Sequence, residues 1–129
     1  RSLIADPRIN NIKDKVNEIK YRDKFRPFAP AILEEYANDY FEGPMNEYMQ
    51  FVAKAKHSYS SVTHVDGTAR VQVVKKDCQS ILRLILEEWY NKTDCPILLN
   101  TSLNIKGQPI VNNENDVIKF MERSGIRVF

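Results

Sequence analysis

Pro96-Ile97-Leu98-Leu99-Asn100-Thr101-Ser102-Leu103-Asn104 is an apolar run that exits into small hydrogen-bonding side chains. The apolar residues predict a buried strand over Cys95–Thr101. The polar residues at its exit either close a turn through local hydrogen bonds or present donors to something negatively charged. In a regular strand Asn100 and Ser102 share one side and Thr101 points to the other.

Outward from that strand, helical and extended patterns interleave. Leu3-Ile4-Ala5 reads as a short strand, and Asp6-Pro7 as an N-cap acceptor followed by proline at the first helical position. Ile9, Ile12, Val16 and Ile19 then recur on one face of an amphipathic helix. Pro27 and Pro30 favour an extended segment over Phe28–Ile32, with a short helical piece over Leu33–Tyr40 ended by Gly43-Pro44. Strands are expected at Tyr48–Ala53, at Val62–Asp66 and, after a turn or bulge at Gly67-Thr68, at Ala69–Val74. Ile81, Leu82, Ile85, Leu86 and Trp89 mark a helix from Asp77 to roughly residue 91. Pro109–Val111 reads as extended. Asn113 with Asp116 caps a last helix, which Ser124-Gly125 ends before a terminal strand at Arg127–Phe129. This pattern predicts an α/β (α+β) fold, one domain over residues 1–129 with a mixed sheet.

Composition narrows the function classes. The 129 residues are 43% hydrophobic and 28% charged, as in an ordinary globular domain. A net charge of +2 fits poorly with binding driven by a nucleic-acid backbone, so local clusters must carry any argument about anions. No apolar run approaches the roughly 20 residues that span a bilayer, and the first residues do not read as an export signal. The expected compartment is the cytoplasm, with Cys78 and Cys95 reduced and too far apart for a CxxC motif. The chain opens at Arg1, already inside a strand and without an initiator methionine, which reads as a piece of a longer protein.

Three segments concentrate chemistry. Lys20-Tyr21-Arg22-Asp23-Lys24-Phe25-Arg26 alternates four cations just past a helix end. In an extended segment Lys20, Arg22, Lys24 and Arg26 fall on one face and form a polyphosphate site, with arginine forks for bidentate contact and lysine as a point charge. The plainer reading is a solvated edge with helix C-terminal charges. Thr63-His64-Val65-Asp66-Gly67-Thr68-Ala69-Arg70-Val71-Gln72 crowds six polar side chains into ten residues. With only His57 and His64 in the chain, a protein-only zinc site lacks ligands, and neither a GxSxG elbow nor a GxxxxGK[ST] loop is present. The third segment is the strand exit, whose neutral Asn100, Thr101, Ser102 and Asn104 would orient a ligand that cations neutralise, a division of labour suited to phosphoryl or nucleotidyl chemistry.

Taken in order, RSLIADPR, IKYRDKFRPFAPAILEE, THVDGTARVQVV and PILLNTSLNIKGQPIV resemble the C-terminal domain of the O-carbamoyltransferases, across nearly the whole chain. That domain is in turn similar to the YrdC-like fold, whose motifs include a basic block and a strand end like Thr101-Ser102-Leu103-Asn104. The resemblance implies a single YrdC-like domain with a twisted mixed sheet flanked by helices. It implies formation of carbamoyl-adenylate from carbamoyl phosphate and ATP with Mg²⁺. It also implies that a preceding actin/sugar-kinase-like domain, binding its own metal ion, passes the carbamoyl group to a small-molecule hydroxyl. Carried over, Lys20, Arg26 and Arg70 are the expected catalytic cations. Asn100 and Ser102 match the polar pair at the strand exit, with Arg22, Thr68, Thr101 and Asn104 as further substrate- or nucleotide-binding residues and no metal ligand. Asp66 is a candidate for orienting an arginine or touching the nucleotide's metal. The competing reading is a non-catalytic nucleotide- or RNA-binding module, which the small net charge disfavours.

Overall fold

The central strand of the molecule contains a proline. β2 (Ala29–Leu33, sequence APAIL) is buried at all five positions, between β7 (Ile97–Ser102) on one side and β6 (Gln72–Val74) on the other. Leu33 N donates to Pro96 O, so the odd-numbered amides of β2 face β7 and Pro30 faces the β6 side. The ladder to β6 begins only at Ala31↔Gln72, so no hydrogen bond is lost at Pro30. A computed structural model, describing residues 1–129, thus resolves how a proline-bearing segment occupies a sheet interior.

The main sheet runs β1-β7-β2-β6. β1 (Ser2–Ala5) and β2 are antiparallel to β7, and β6 is parallel to β2, so the sheet is mixed, as expected. The run Ile97-Leu98-Leu99 is buried throughout because both faces of β7 are covered. Leu98 meets Ala31, Leu33, Val74 and Leu86, the last from α3 (Ile81–Thr93). Leu99 meets Val16, Phe28 and Val62 on the opposite face, under α1 (Ile12–Ile19). A second sheet of β3 (Phe41–Glu42), β4 (Ala53–Ala55) and β5 (Thr68–Ala69) packs through Phe41, Ala53 and Ala69 against Ile32 and Ile97. It follows a short 3₁₀ turn, Glu34–Tyr36, and α2 (Ala37–Tyr40). Beyond the exit of β7, α4 (Glu114–Ser124) sets Phe120 among Leu103, Ile105 and Val111.

Several expectations change. The first helix starts at Ile12, not Asp6, because Asp6 Oδ1 accepts from Arg8 N at 3.0 Å in a local turn and also pairs with the Arg8 side chain. Ile9 consequently leaves the apolar face and is exposed. Tyr48–Val52 is not a strand, and only Ala53 of that segment enters β4. Val62–Asp66 is a pair of turns in which Val62 and Thr63 both donate to Tyr59 O. The segment 69–74 divides at Arg70-Val71 between two sheets. Residues 109–111 and 127–129 form no strand. The third helix begins at Ile81, not Asp77, with Ser80 as its cap: Ser80 Oγ accepts from Arg83 N at 3.1 Å. Asn113 caps α4 as expected, accepting from Asp116 N at 3.0 Å, and Gly125 ends it at φ 68°.

Candidate functional site

The basic block is not extended, contrary to the alternation argument. α1 closes in a Schellman-type end: Tyr21 N donates to Glu18 O at 3.0 Å and Arg22 N to Asn17 O at 2.8 Å, with Tyr21 left-handed at φ 51°. A turn from Asp23 O to Arg26 N follows. These two reversals bring Lys20, Arg22 and Arg26 to one cleft of about 200 Å³ and leave Lys24 out of its lining. The facing wall is the end of β7, with Thr101, Ser102 and Asn104, and the turn beyond it adds Lys106. No apolar side chain lines this cleft.

Lys20 is buried and has its ammonium protons engaged. Nζ donates to Asn104 O at 3.0 Å, to Asn104 Oδ1 at 2.9 Å and to Ser102 O at shorter range. Burial, and secondly the charge of Arg22, push its pKa down to about 8. Asn104 Oδ1 also accepts from Ser102 Oγ at 2.6 Å, while its Nδ2 donates to Gln108 O at 2.8 Å. The Ser102–Asn104 turn is thus a bracket fixed from one side by lysine. Both Thr101 and Ser102 reach the cleft, because the strand ends at Ser102 and the chain turns there.

The arginines stand in a different state. None of Arg22, Arg26 and Arg70 belongs to an ion pair. Arg22 Nε is buried without a partner, and the guanidinium lies 5.0 Å from the Phe28 ring centroid. Burial pushes the Arg22 pKa down, the charges of Arg26 and Arg70 push it further, and Asp23 opposes them. Arg70, in the link between β5 and β6, therefore lies within electrostatic reach of the cleft without lining it. Asp23 is 3.5 Å from Lys106 Nζ in an exposed pair, which screens little. Mutually repelling cations with an unpaired buried donor give this cleft the chemistry to receive an anion.

Two expected members lie elsewhere. Asn100 faces the α3 side of the sheet, as its alternation with Leu99 dictates; its Nδ2 donates to Gln72 Oε1 at 2.7 Å and its buried Oδ1 has no partner. Thr68 closes the 64–68 turn: its Oγ1 donates to Asp66 Oδ1 at 2.6 Å and lies 2.9 Å from His64 Nδ1. Asp66 is thereby committed to Thr68, which holds its carboxyl below the usual carboxylate range, and it orients no arginine. Lys106 escaped the sequence reading. Its signal was Gly107, left-handed at φ 79°, which marks the turn that lets Lys106 N donate to Lys20 O at 2.9 Å.

Comparison with known proteins agrees with the sequence resemblance. The family model described as Carbamoyltransferase C-terminus matches residues 1–129. The chain belongs to this family. Nodulation protein NolNO of Sinorhizobium fredii is 42% identical over 127 residues, covering 92% of this chain and 19% of that protein. Nodulation protein NolO of Bradyrhizobium diazoefficiens is 40% identical, covering 92% and 23%. The 3'-hydroxymethylcephem-O-carbamoyltransferase of Amycolatopsis lactamdurans is 34% identical, covering 98% and 25%. The chain of this carbamoyltransferase C-terminus thus spans a fifth to a quarter of these relatives' length. No helix in it is long and apolar enough to cross a membrane.

Proposed function

We propose that this carbamoyltransferase C-terminus binds carbamoyl phosphate and MgATP in the cationic cleft and forms carbamoyl-adenylate there. Carbamoyl phosphate is first hydrolysed to carbamate and phosphate. A carbamate oxygen then attacks the α-phosphorus of ATP, the bond from that phosphorus to the bridging oxygen breaks, and pyrophosphate leaves. On a preceding actin/sugar-kinase-like domain of the same polypeptide, in the cytoplasm, the hydroxyl of a small-molecule acceptor then attacks the carbamoyl carbon, loses its proton and displaces AMP. The observation that carries this reading is the pair of arginines, Arg22 and Arg26, that line the cleft in no ion pair beside Lys20, Lys106, Thr101 and Ser102.

The chemistry needs no side-chain nucleophile. Two anionic reactants must approach each other, and Arg22 and Arg26 offset that repulsion while Thr101 and the Ser102 bracket orient the oxygens. Mg²⁺ belongs to the nucleotide substrate in this scheme. The cleft lining holds no carboxylate, and the chain has no cluster of three His, Cys, Asp or Glu placed to hold a cation.

The test is pyrophosphate release by the native protein from ATP, with and without carbamoyl phosphate. Release that depends on carbamoyl phosphate and falls about 10²-fold in Arg26→Ala supports the reading, that being the usual loss on removing one preorganised donor. ATP left unconsumed by the wild type overturns it. Nucleotide binding without pyrophosphate release identifies a binding module instead.

A further inference from the structure

Asn17 has no exposed surface, on the last full turn of α1, in a position where packing alone calls for an apolar residue. Its Nδ2 donates to Arg26 O at 3.0 Å and to Lys24 O at 3.3 Å. Its backbone carbonyl accepts from Arg22 N at 2.8 Å. One residue therefore ties the basic loop at both ends, at Arg22 through its backbone and at Arg26 through its side chain. Its Oδ1 is buried with no partner, so packing alone does not account for an amide at this position. The loop itself gains little from packing, since Asp23, Lys24, Phe25 and Arg26 are all exposed.

We propose that Asn17 is a positioning residue for the cationic wall of the cleft. Its side-chain amide holds the Lys24–Arg26 backbone against the helix end that carries Arg22, so that the two guanidinium groups stay converged on one anion against their mutual repulsion. Three positive charges within reach of one another drift apart on a loop unless the backbone beneath them is tied. The hydrogen bonds from Asn17 tie that backbone without neutralising the charge, as a carboxylate would. This inference rests on the reading of the cleft as a phosphate site.

A double-mutant cycle on the native protein, with inorganic pyrophosphate as the probe, separates the two ideas. Asn17→Ala is expected to raise the pyrophosphate Kd about tenfold in the wild-type background and less than about twofold in an Arg22→Ala/Arg26→Ala background. Val16→Ala, one residue away and packed on Phe28, Val62 and Leu99, controls for helix destabilisation and is expected to leave the Kd within about twofold. The Nε–H resonances of Arg22 and Arg26 shift together on titration in the wild type and lose that response in Asn17→Ala. Asn17→Ser replaces it if the alanine variant does not fold. Equal Kd changes for Asn17→Ala and Val16→Ala overturn the positioning role and leave the site intact. An arginine double variant that binds pyrophosphate as well as the wild type overturns the site itself.

Discussion

Arg22 and Arg26 line the cleft and form no ion pair, whereas Arg70 acts on it from outside. Truncating either lining arginine removes a charge-assisted hydrogen bond to a bound phosphate. Arg22→Ala and Arg26→Ala are therefore each expected to weaken pyrophosphate binding by about 1.5–3 kcal/mol in isothermal titration. Arg70→Ala, limited to a solvent-screened charge effect, is expected to cost under about 1 kcal/mol. Lys20 adds a pH dependence. Its pKa of about 8 in the free protein rises when a dianion binds, so binding takes up a proton only above that value. Affinity for sulfate, which does not titrate in this range, is expected to be flat below pH 8 and to fall above it. Lys20→Met abolishes the inflection; an inflection that survives it belongs to another group. The cations of this site were legible as a cluster, because charge repeated over seven residues is conspicuous. Their convergence was not, since it depends on two chain reversals, one at the non-glycine residue Tyr21, which carries no turn signature.

The element scale turns on one buried arginine. Arg83, near the start of α3, donates from Nη1 to Glu35 Oε2 at 2.8 Å and to Val74 O at 3.2 Å, from Nη2 to Glu35 Oε1 at 2.5 Å, and from Nε to Glu87 Oε1 at 2.7 Å. It thereby locks α3 to the 3₁₀ turn after β2 and to the end of β6. Arg83→Leu leaves Glu35 unpaired at a position about one-third exposed. A loss of about 2–3 kcal/mol in urea unfolding is expected, below the full cost of breaking a buried pair because water still reaches the carboxylate. The hydrogen bonds from Arg83 hold the Glu35 carboxyl down at about 2. In the unfolded chain that group titrates near ~4.3. Its contribution to stability is full above the unfolded value and disappears as pH falls through about 2. Arg83→Leu should flatten acid unfolding between those limits, and an unchanged acid limb would exclude the pair as its source. Elements with an internal signature were readable: the apolar run of β7, the stripe of α3, the Asn113 cap and Gly125 stop of α4. The segments at 48–53 and 62–66 alternate like strands for another reason. Val62 packs beneath α1 from a turn, and Tyr48, Phe51 and Val52 face solvent, so partners distant in sequence set those conformations.

At the scale of the whole molecule the cleft depends on β7, which forms one wall and also joins the two sheets. Ile97 is fully buried and touches, with Ile32, the small sheet through Phe41, Ala53 and Ala69. Two residues further along the same strand, Leu99 supports α1, whose end carries Lys20 and the basic loop. The small sheet has only two- and three-residue strands, too short to persist without the face they cover. The chain crosses from one sheet to the other within Arg70-Val71, and Val71 lies in the shared core. Both sheets should therefore unfold as one cooperative unit. Ile97→Ala, leaving a cavity at their junction, is expected to cost about 2–5 kcal/mol. Amide exchange provides the check: protection at Ala53, Ala55 and Ala69 should fall by the same factor as at Leu98 and Asn100. If β4 and β5 lose protection while β7 keeps it, the small sheet is an independent flap and the cleft wall does not depend on it.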